Sequence, residues 1–193
     1  MIYNVPVMQV SVNMETVKVW RMPGLFECEL MRATYVNHSF PKHTHEGFGV
    51  GIIEKGALGF FYRGENVVAP EGFINFVSPG EVHTGQAAVS SGWTYRMFYL
   101  APELMLKACR ELSGGAASLP FIPKGVIRDP ILAGEILALH QGIERGAFSS
   151  LDAETRYLDM LTTLVSRHAV DAPSPLRVGR ERRAVSAACE YIE

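Results

Sequence analysis

The sequence predicts a mainly β domain with helices appended: a sandwich or barrel of short antiparallel strands, then a helical segment. Two observations carry this. Ten of the eighteen glycines lie between Gly47 and Gly92, among short runs of Val, Ile, Phe and Tyr, the pattern of short strands joined by turns. Beyond Gly125 the chain turns rich in Leu, Ala, Ile and charge, and its apolar residues recur at the helical steps of three and four. No interval between the strands holds a dozen-residue helical crossover, which excludes a parallel α/β sheet.

Strands are expected at residues 17–20, 26–36, 48–54, 58–62, 65–69, 73–77 and 94–100. Breaks fall at Pro23-Gly24, Lys55-Gly56, Arg63-Gly64, Pro70-Glu71-Gly72, Pro79-Gly80 and Ser90-Ser91-Gly92. Residues 58–69 read as a hairpin with a glycine-containing turn. A first helix is expected at 102–112, ended by Ser113-Gly114-Gly115, with a Pro-containing loop at 119–125 after it. Asp129-Pro130 supplies an N-cap and a proline at the first helical position. Leu132, Ile136, Leu139 and Ile143 then form one stripe, ended at Gly146, and a third helix from Ser150 carries Leu151, Leu158, Leu161 and Val165 on one face. The two helices make an antiparallel pair whose surplus apolar surface packs on the β domain or forms a dimer seam.

Composition sets further bounds. The 193 residues, 48% hydrophobic and 20% charged, are those of an ordinary globular domain with an appendage. No run approaches the ~18 apolar residues of a membrane-spanning helix. The net charge of −2 gives no global field for nucleic acid. Cys28, Cys109 and Cys189 are odd in number and far apart, so they read as free thiols of a reducing compartment. The first twenty residues lack the plan of a signal peptide, and the expected location is the cytoplasm. Ala172-Pro173-Ser174-Pro175 with Arg177, Arg180, Arg182 and Arg183 reads as a basic linker. The short helix expected at 184–193 is marginal alone, so a second domain is expected beyond Glu193.

The residues best suited to chemistry are His43, His45 and His83. At strand spacing His43 and His45 share a face, and Gly47, Gly49 and Gly51 continue it, so imidazoles beside missing side chains describe a cavity. His83 follows a Pro-Gly turn and can converge on the same space. Three neutral imidazoles suit Zn²⁺ or another late first-row divalent metal. They also suit hydrogen bonds to a ligand, the preferred reading, or to buried backbone. His38, His140 and His168 have no partners at ligand spacing and read as structural or solvated. Trp93 and Arg96 lie in the last strand, where the guanidinium faces solvent, a salt-bridge partner or a ligand carboxylate. No hydrolase, P-loop or zincin motif occurs.

The order His43-Thr44-His45, Glu54-Lys55-Gly56, Ala69-Pro70-Glu71-Gly72 and Pro79-Gly80-Glu81-Val82-His83 resembles a cupin, and more closely the N-terminal sensor domain of AraC-type transcription regulators. The resemblance implies a double-stranded β-helix, a jelly-roll-like barrel, followed by an antiparallel helix pair. It divides the chain into an effector-binding barrel with its following helix (1–122), a helical dimerisation segment (123–169), a linker (170–182) and the start of a helix-turn-helix domain (183–193). It implies a small-molecule effector held by His43, His45 and His83, to which the residue reading adds Trp93 and Arg96 as supports, and no required cofactor, with a divalent metal on the three histidines as a candidate. It also implies a homodimer through Leu132, Ile136, Leu139, Ile143, Leu158, Leu161 and Val165, DNA contact only through the part beyond Glu193, and no membrane. Metal-dependent cupin enzymes usually add a Glu three or four residues after the histidine pair and an Asn four after the later histidine. Here those positions hold Gly49 or Val50, and Ala87. The expectation is therefore a binding module without catalytic activity, the alternative being a metal-dependent isomerase or dioxygenase.

Overall fold

The structure, a computed structural model, describes residues 15–21 and 28–173. The strands are β1 (Thr16–Arg21), β2 (Glu29–Tyr35), β3 (Phe40–His43), β4 (Phe48–Tyr62), β5 (Glu65–Pro70), β6 (Ile74–Val77), β7 (His83–Ala87), β8 (Trp93–Leu100) and β9 (Val126–Ile127). The helices are α1 (Pro102–Ser113), α2 (Pro130–Glu144) and α3 (Ser150–His168). Two antiparallel sheets face each other. One runs β1-β2-β8-β4-β6-β9, and in the other β3 pairs β7 while β7 and β5 flank the second half of β4. This is the cupin-type barrel expected from the sequence.

The expected break at Lys55-Gly56 is instead the place where one long strand changes sheets. The register against β8 slips between Ile53 and Lys55, and Gly56 has φ +71°. A Cβ there would overlap the Gly92 carbonyl, so glycine lets the bulged strand bend sharply. Residues 49–52 then pair with β6, and 57–62 with β5. The turn at Arg63-Gly64 has φ +50° and +89°, the pair of positive values that a two-residue hairpin turn requires. Arg63 is held there by its own side chain, whose Nε donates to Glu81 Oε1 at 2.9 Å and Nη1 to Ile122 O at 3.0 Å.

Two cores lie on opposite faces of the larger sheet. Leu30, Phe48, Val50, Ile52, Phe76, Phe98 and Leu100 pack outward on the helices, while Ala33, Ile53, Val77, Trp93, Tyr95 and Met97 face the barrel interior. Asp129 caps α2 by accepting from Leu132 N at 3.1 Å, as the sequence predicts. Residues 122 and 123 lie in the loop between α1 and β9, and α1, α2 and α3 share one core with the larger sheet.

The dimer stripe needs correction. Leu132, Ile136, Leu139, Ile143, Leu161 and Val165 are buried within this chain, and Leu158 is half-buried against the same core. Their periodicity reported burial correctly, but the partner is the larger sheet and the neighbouring helices. Buried Cys28 lies 3.2 Å from the Tyr157 hydroxyl, and burial pushes its thiol up to about 12. Cys109 is also a buried free thiol. Cys189, the arginine run and the expected helix at 184–193 lie outside the described residues. Among those described, no helix is long and apolar enough to cross a membrane.

Arg96 fastens α2 to the sheet. It is 4% exposed, with Nε 2.9 Å from Glu54 Oε1 as an ion pair and Nη1 donating to Glu144 Oε2 at 2.6 Å. Lys18 Nζ closes the far side of Glu144 at 2.8 Å. The fully buried His140 lies 3.1 Å from Arg96 Nη1 through Nδ1 and 3.2 Å from Met97 O through Nε2. A carbonyl only accepts and a guanidinium only donates, so His140 is neutral with its proton on Nε2. Burial, then the Arg96 charge, lowers its pKa to about 4.

This state makes stability pH-dependent. Unfolded histidine takes up a proton near about 6.5, whereas His140 in the fold does so at about 4. Between these values the unfolded chain binds more protons, so stability is full above about pH 6.5 and falls as pH drops toward 4. Thermal melts from pH 7.5 to 4.5 should show this decline, and His140→Gln, which cannot titrate, should shrink it. An identical slope in the variant would refute the assignment.

Candidate functional site, a cavity of imidazoles and aromatic rings

Between the sheets lies a cavity of about 150 Å³. Alternate residues of a strand share a face, so β8 turns Trp93, Tyr95, Met97 and Tyr99 toward it. Strand β2 contributes Met31 and Tyr35, and the second sheet Phe40, Leu58, Phe60 and His83. Asn75 and Val77 of β6 complete this wall. No Asp, Glu, Lys or Arg of the described residues lines it.

The three histidines come together, but by another route than shared strand parity. His43 ends β3 and stands directly opposite His83, which opens β7. His45 lies beyond the end of β3, in the link to β4. Ring centroids are 4.2 Å apart for His43 and His83, and 5.0 Å for His45 with each of them. One nitrogen from each ring lies within 4.8 Å of the others. His43 Nδ1 is 2.7 Å from Pro41 O and His83 Nδ1 is 2.9 Å from Glu81 O. Each Nδ1 therefore carries a proton, which leaves Nε2 as the nitrogen that can offer a lone pair. Burial is the main cause that lowers the His45 pKa, to about 4, and the charges of His83 and His43 add to it. Burial also lowers His83, against its hydrogen bond to the Glu81 carbonyl.

This donor set fits a divalent cation. Three imidazoles can each supply a lone pair, and backbone carbonyls orient two of the rings, as is usual around bound metals. Where the resemblance would place a Glu and an Asn, the chain has Gly49 or Val50, and Ala87.

The glycine row behaves differently from the expectation of open space. Gly51 pairs with Met97 and Gly49 with Tyr99. A Cβ at Gly51 would overlap Met97 Sδ, and one at Gly49 would meet Met97 Cε at 3.3 Å. The missing side chains thus make room for Met97 and Tyr99 across the sheet. At Gly47 a Cβ would overlap the Leu100 carbonyl, so that glycine permits close backbone packing.

Trp93 lies in the cavity wall, as expected. Arg96 does not reach the cavity: it is at odd parity to Trp93 and Tyr95, and its guanidinium is on the helix side with Glu54 and Glu144. Sequence reasoning missed Tyr35, Asn75, Tyr95, Met97 and Tyr99. Strand alternation from Trp93 was a sufficient signal for three of them, and Asn75 stands out as the polar member of an apolar four-residue strand. Of the other histidines, His38 is exposed and stacks on Tyr35 at 5.0 Å, and His168 Nε2 is 3.0 Å from Asp129 Oδ2.

Comparison with known proteins extends these observations. A family model described as AraC-like ligand binding domain matches residues 26–161. The uncharacterized HTH-type transcriptional regulator YbfI of Bacillus subtilis (strain 168) is 26% identical over 165 residues, covering 86% of this chain and 59% of the regulator. The chain thus spans about three fifths of that relative. The crystal structure of the AraC-like transcriptional activator CuxR superposes with a TM-score of 0.58 at 16% identity, over 97% of this chain and 70% of that one. An RmlC-like cupin family protein of Methanocaldococcus jannaschii, with a double-stranded β-helix fold, gives a TM-score of 0.42 at 16% identity over 52% of this chain and 93% of its own.

The imidazole cluster makes a direct prediction. In an NMR titration of labelled histidine rings, His45 should titrate near 4. Because the neighbouring imidazolium charges hold it down, His43→Ala or His83→Ala should raise its midpoint. A midpoint that stays in place in both variants would contradict the electrostatic coupling.

Proposed function

The chain belongs to the family of AraC-like ligand-binding domains, and from that premise we propose that it is the effector-sensing part of a DNA-binding transcription regulator. The effector site is the cavity between the sheets, with His43, His45, His83 and Trp93 in contact with the ligand. One observation carries this reading. Strand β8 presents Tyr95, Met97 and Tyr99 to the cavity and Arg96, Phe98 and Leu100 to the helices. A ligand that shifts one face of β8 necessarily shifts the other. Arg96 therefore acts behind the ligand, by seating α2 through Glu144 and His140. An effector biases the helices as far as it binds their two arrangements with different affinity.

DNA contact belongs to other parts of the regulator, and the helices dimerise. With the original stripe buried, the surface for a second copy is the outer side of the helix pair. Ile131 and Leu151 are exposed there, and a groove between α2 and α3 is lined by Glu135, Ala138, Arg156 and Asp159. The exposed acidic and basic residues give a two-fold contact its charge complement. Such a regulator works in the cytoplasm, which suits the free thiols Cys28 and Cys109.

The histidine cluster supports a second reading, a metal-dependent cupin isomerase or dioxygenase. His43, His45 and His83 would hold the cation, which would supply Lewis acidity. The regulator family and the absence of a carboxylate from the described cavity lining favour the sensing role, with metal as a ligand anchor at most.

Thermal shift against a metabolite panel tests the effector site. A ligand at about 100 times its Kd adds about 2.7 kcal/mol, and the stabilisation should vanish in the His43→Ala, His83→Ala double variant. A hit of unchanged size in that variant would place the site elsewhere. For the assembly, light scattering at tens of micromolar should return twice the chain mass; a monomer mass would remove the dimer.

A further inference from the structure

Resting on the reading of the cavity as the effector site, we propose the chemical class of the effector. It is a compact single-ring aromatic molecule, uncharged where the cavity encloses it, that offers one hydrogen-bond acceptor and one donor.

The first observation is a belt of rings. Centroids step from Trp93 to Tyr35 at 5.2 Å, to Phe40 at 5.2 Å and to His43 at 6.0 Å. They continue to His45 at 5.0 Å and to Tyr99 at 5.3 Å. The Tyr99 and Tyr95 hydroxyls interact, and Tyr95 returns to Trp93 at 6.0 Å. Rings at these spacings pair in tilted or edge-on contacts, and a further ring finds the same contacts within the belt.

The second observation is two polar atoms without partners. Trp93 and Asn75 are 1% and 3% exposed and both line the cavity. Among the described residues, Trp93 Nε1 and Asn75 Oδ1 find no hydrogen-bond partner, although Asn75 Nδ2 lies 3.2 Å from Met97 Sδ. Buried donors and acceptors are normally paired, and both atoms are covered by their neighbours, so a ligand acceptor reaches Trp93 and a ligand donor reaches Asn75 as the side chains over them give way.

Volume and charge narrow the class. A cavity of about 150 Å³ is of the size that holds a benzene ring in an engineered protein interior. No Asp, Glu, Lys or Arg of the described residues lines it, so a zwitterion has no pair of counter-charges there. Aromatic cages also attract quaternary ammonium ions, but such an ion has no acceptor for the Trp93 N–H.

The probe is benzamide, one ring with a carbonyl acceptor and an amide donor. The chain has two tryptophans, so Trp20→Phe leaves Trp93 as the sole fluorescent reporter. Benzamide should quench Trp93 saturably below 10 mM, with calorimetry of the unaltered chain giving the same Kd. It should bind more tightly than glucose, glycine or tetramethylammonium. Trp93→Phe and Asn75→Leu, each verified as folded by its thermal melt, should each weaken it about five- to tenfold, the size of one hydrogen bond. Tighter binding of any of the other three probes, lost in the His43→Ala, His83→Ala variant, would overturn the aromatic class and leave the effector site standing. Benzamide binding unchanged in both single variants, or no saturable benzamide binding, would overturn the proposal. If neither benzamide nor any panel ligand is sensitive to the double histidine variant, the effector site itself falls.

Discussion

Strand β8 is buried on both faces, and the pleat sends its successive side chains into two different interiors. Everything distinctive in this structure depends on that constraint. Tyr95, Met97 and Tyr99 can only enter the barrel, while Arg96, Phe98 and Leu100 can only enter the helix interface. A charged residue at position 96 must then be neutralised where it is buried. Glu54 from β4 and Glu144 from α2 supply the charge, and Lys18 and Arg32 hold the carboxylates from the solvent side. The ion pairs in turn settle where α2 rests on the sheet.

The same partition explains why the cavity is neutral. The strong charges of this region are drawn to the outer face of the sheet, where their partners converge. The interior keeps rings, thioethers and imidazoles. Burial and mutual repulsion hold His45 unprotonated, and the carbonyls of Pro41 and Glu81 set the tautomers of its two neighbours. His45 can therefore accept a hydrogen bond or ligate a cation without first losing a proton. His140 is neutral for a related reason, but its lone pair is taken by Arg96. Two neutral histidine environments thus sit on either side of one sheet, one free to meet a ligand and the other committed to the seat of α2.

Glycine has a structural role at three points that bear on this arrangement. Gly56 lets β4 pass from one sheet to the other, which makes a barrel from an open sheet. Gly49 and Gly51 let Met97 and Tyr99 lean across β4, so the cavity wall is made of those side chains. Substituting a larger residue at Gly51 would push Met97 into the space the ligand is proposed to occupy.

Local signals were legible in the sequence. The turn at Arg63-Gly64, the cap at Asp129, the helix from Ser150 and the glycine-punctuated strands each depend on a few adjacent residues and on backbone preferences. The histidine cluster was legible as a set, because three imidazoles beside turns are unusual, although the strand parity assumed for His43 and His45 did not hold. Strands β3 and β7 escaped because Phe40-Pro41-Lys42-His43 and His83-Thr84-Gly85-Gln86-Ala87 carry weak apolar patterns and gain their stability from each other. Periodicity shows that Leu132, Ile136 and Leu161 are buried, and it is silent about what covers them. Alternation separates Trp93 from Arg96, but when both faces of a strand are buried it cannot say which interior each one enters. Only the tertiary structure decides that, because the answer depends on which distant segments, β4, β6 and α2, close over each face of β8.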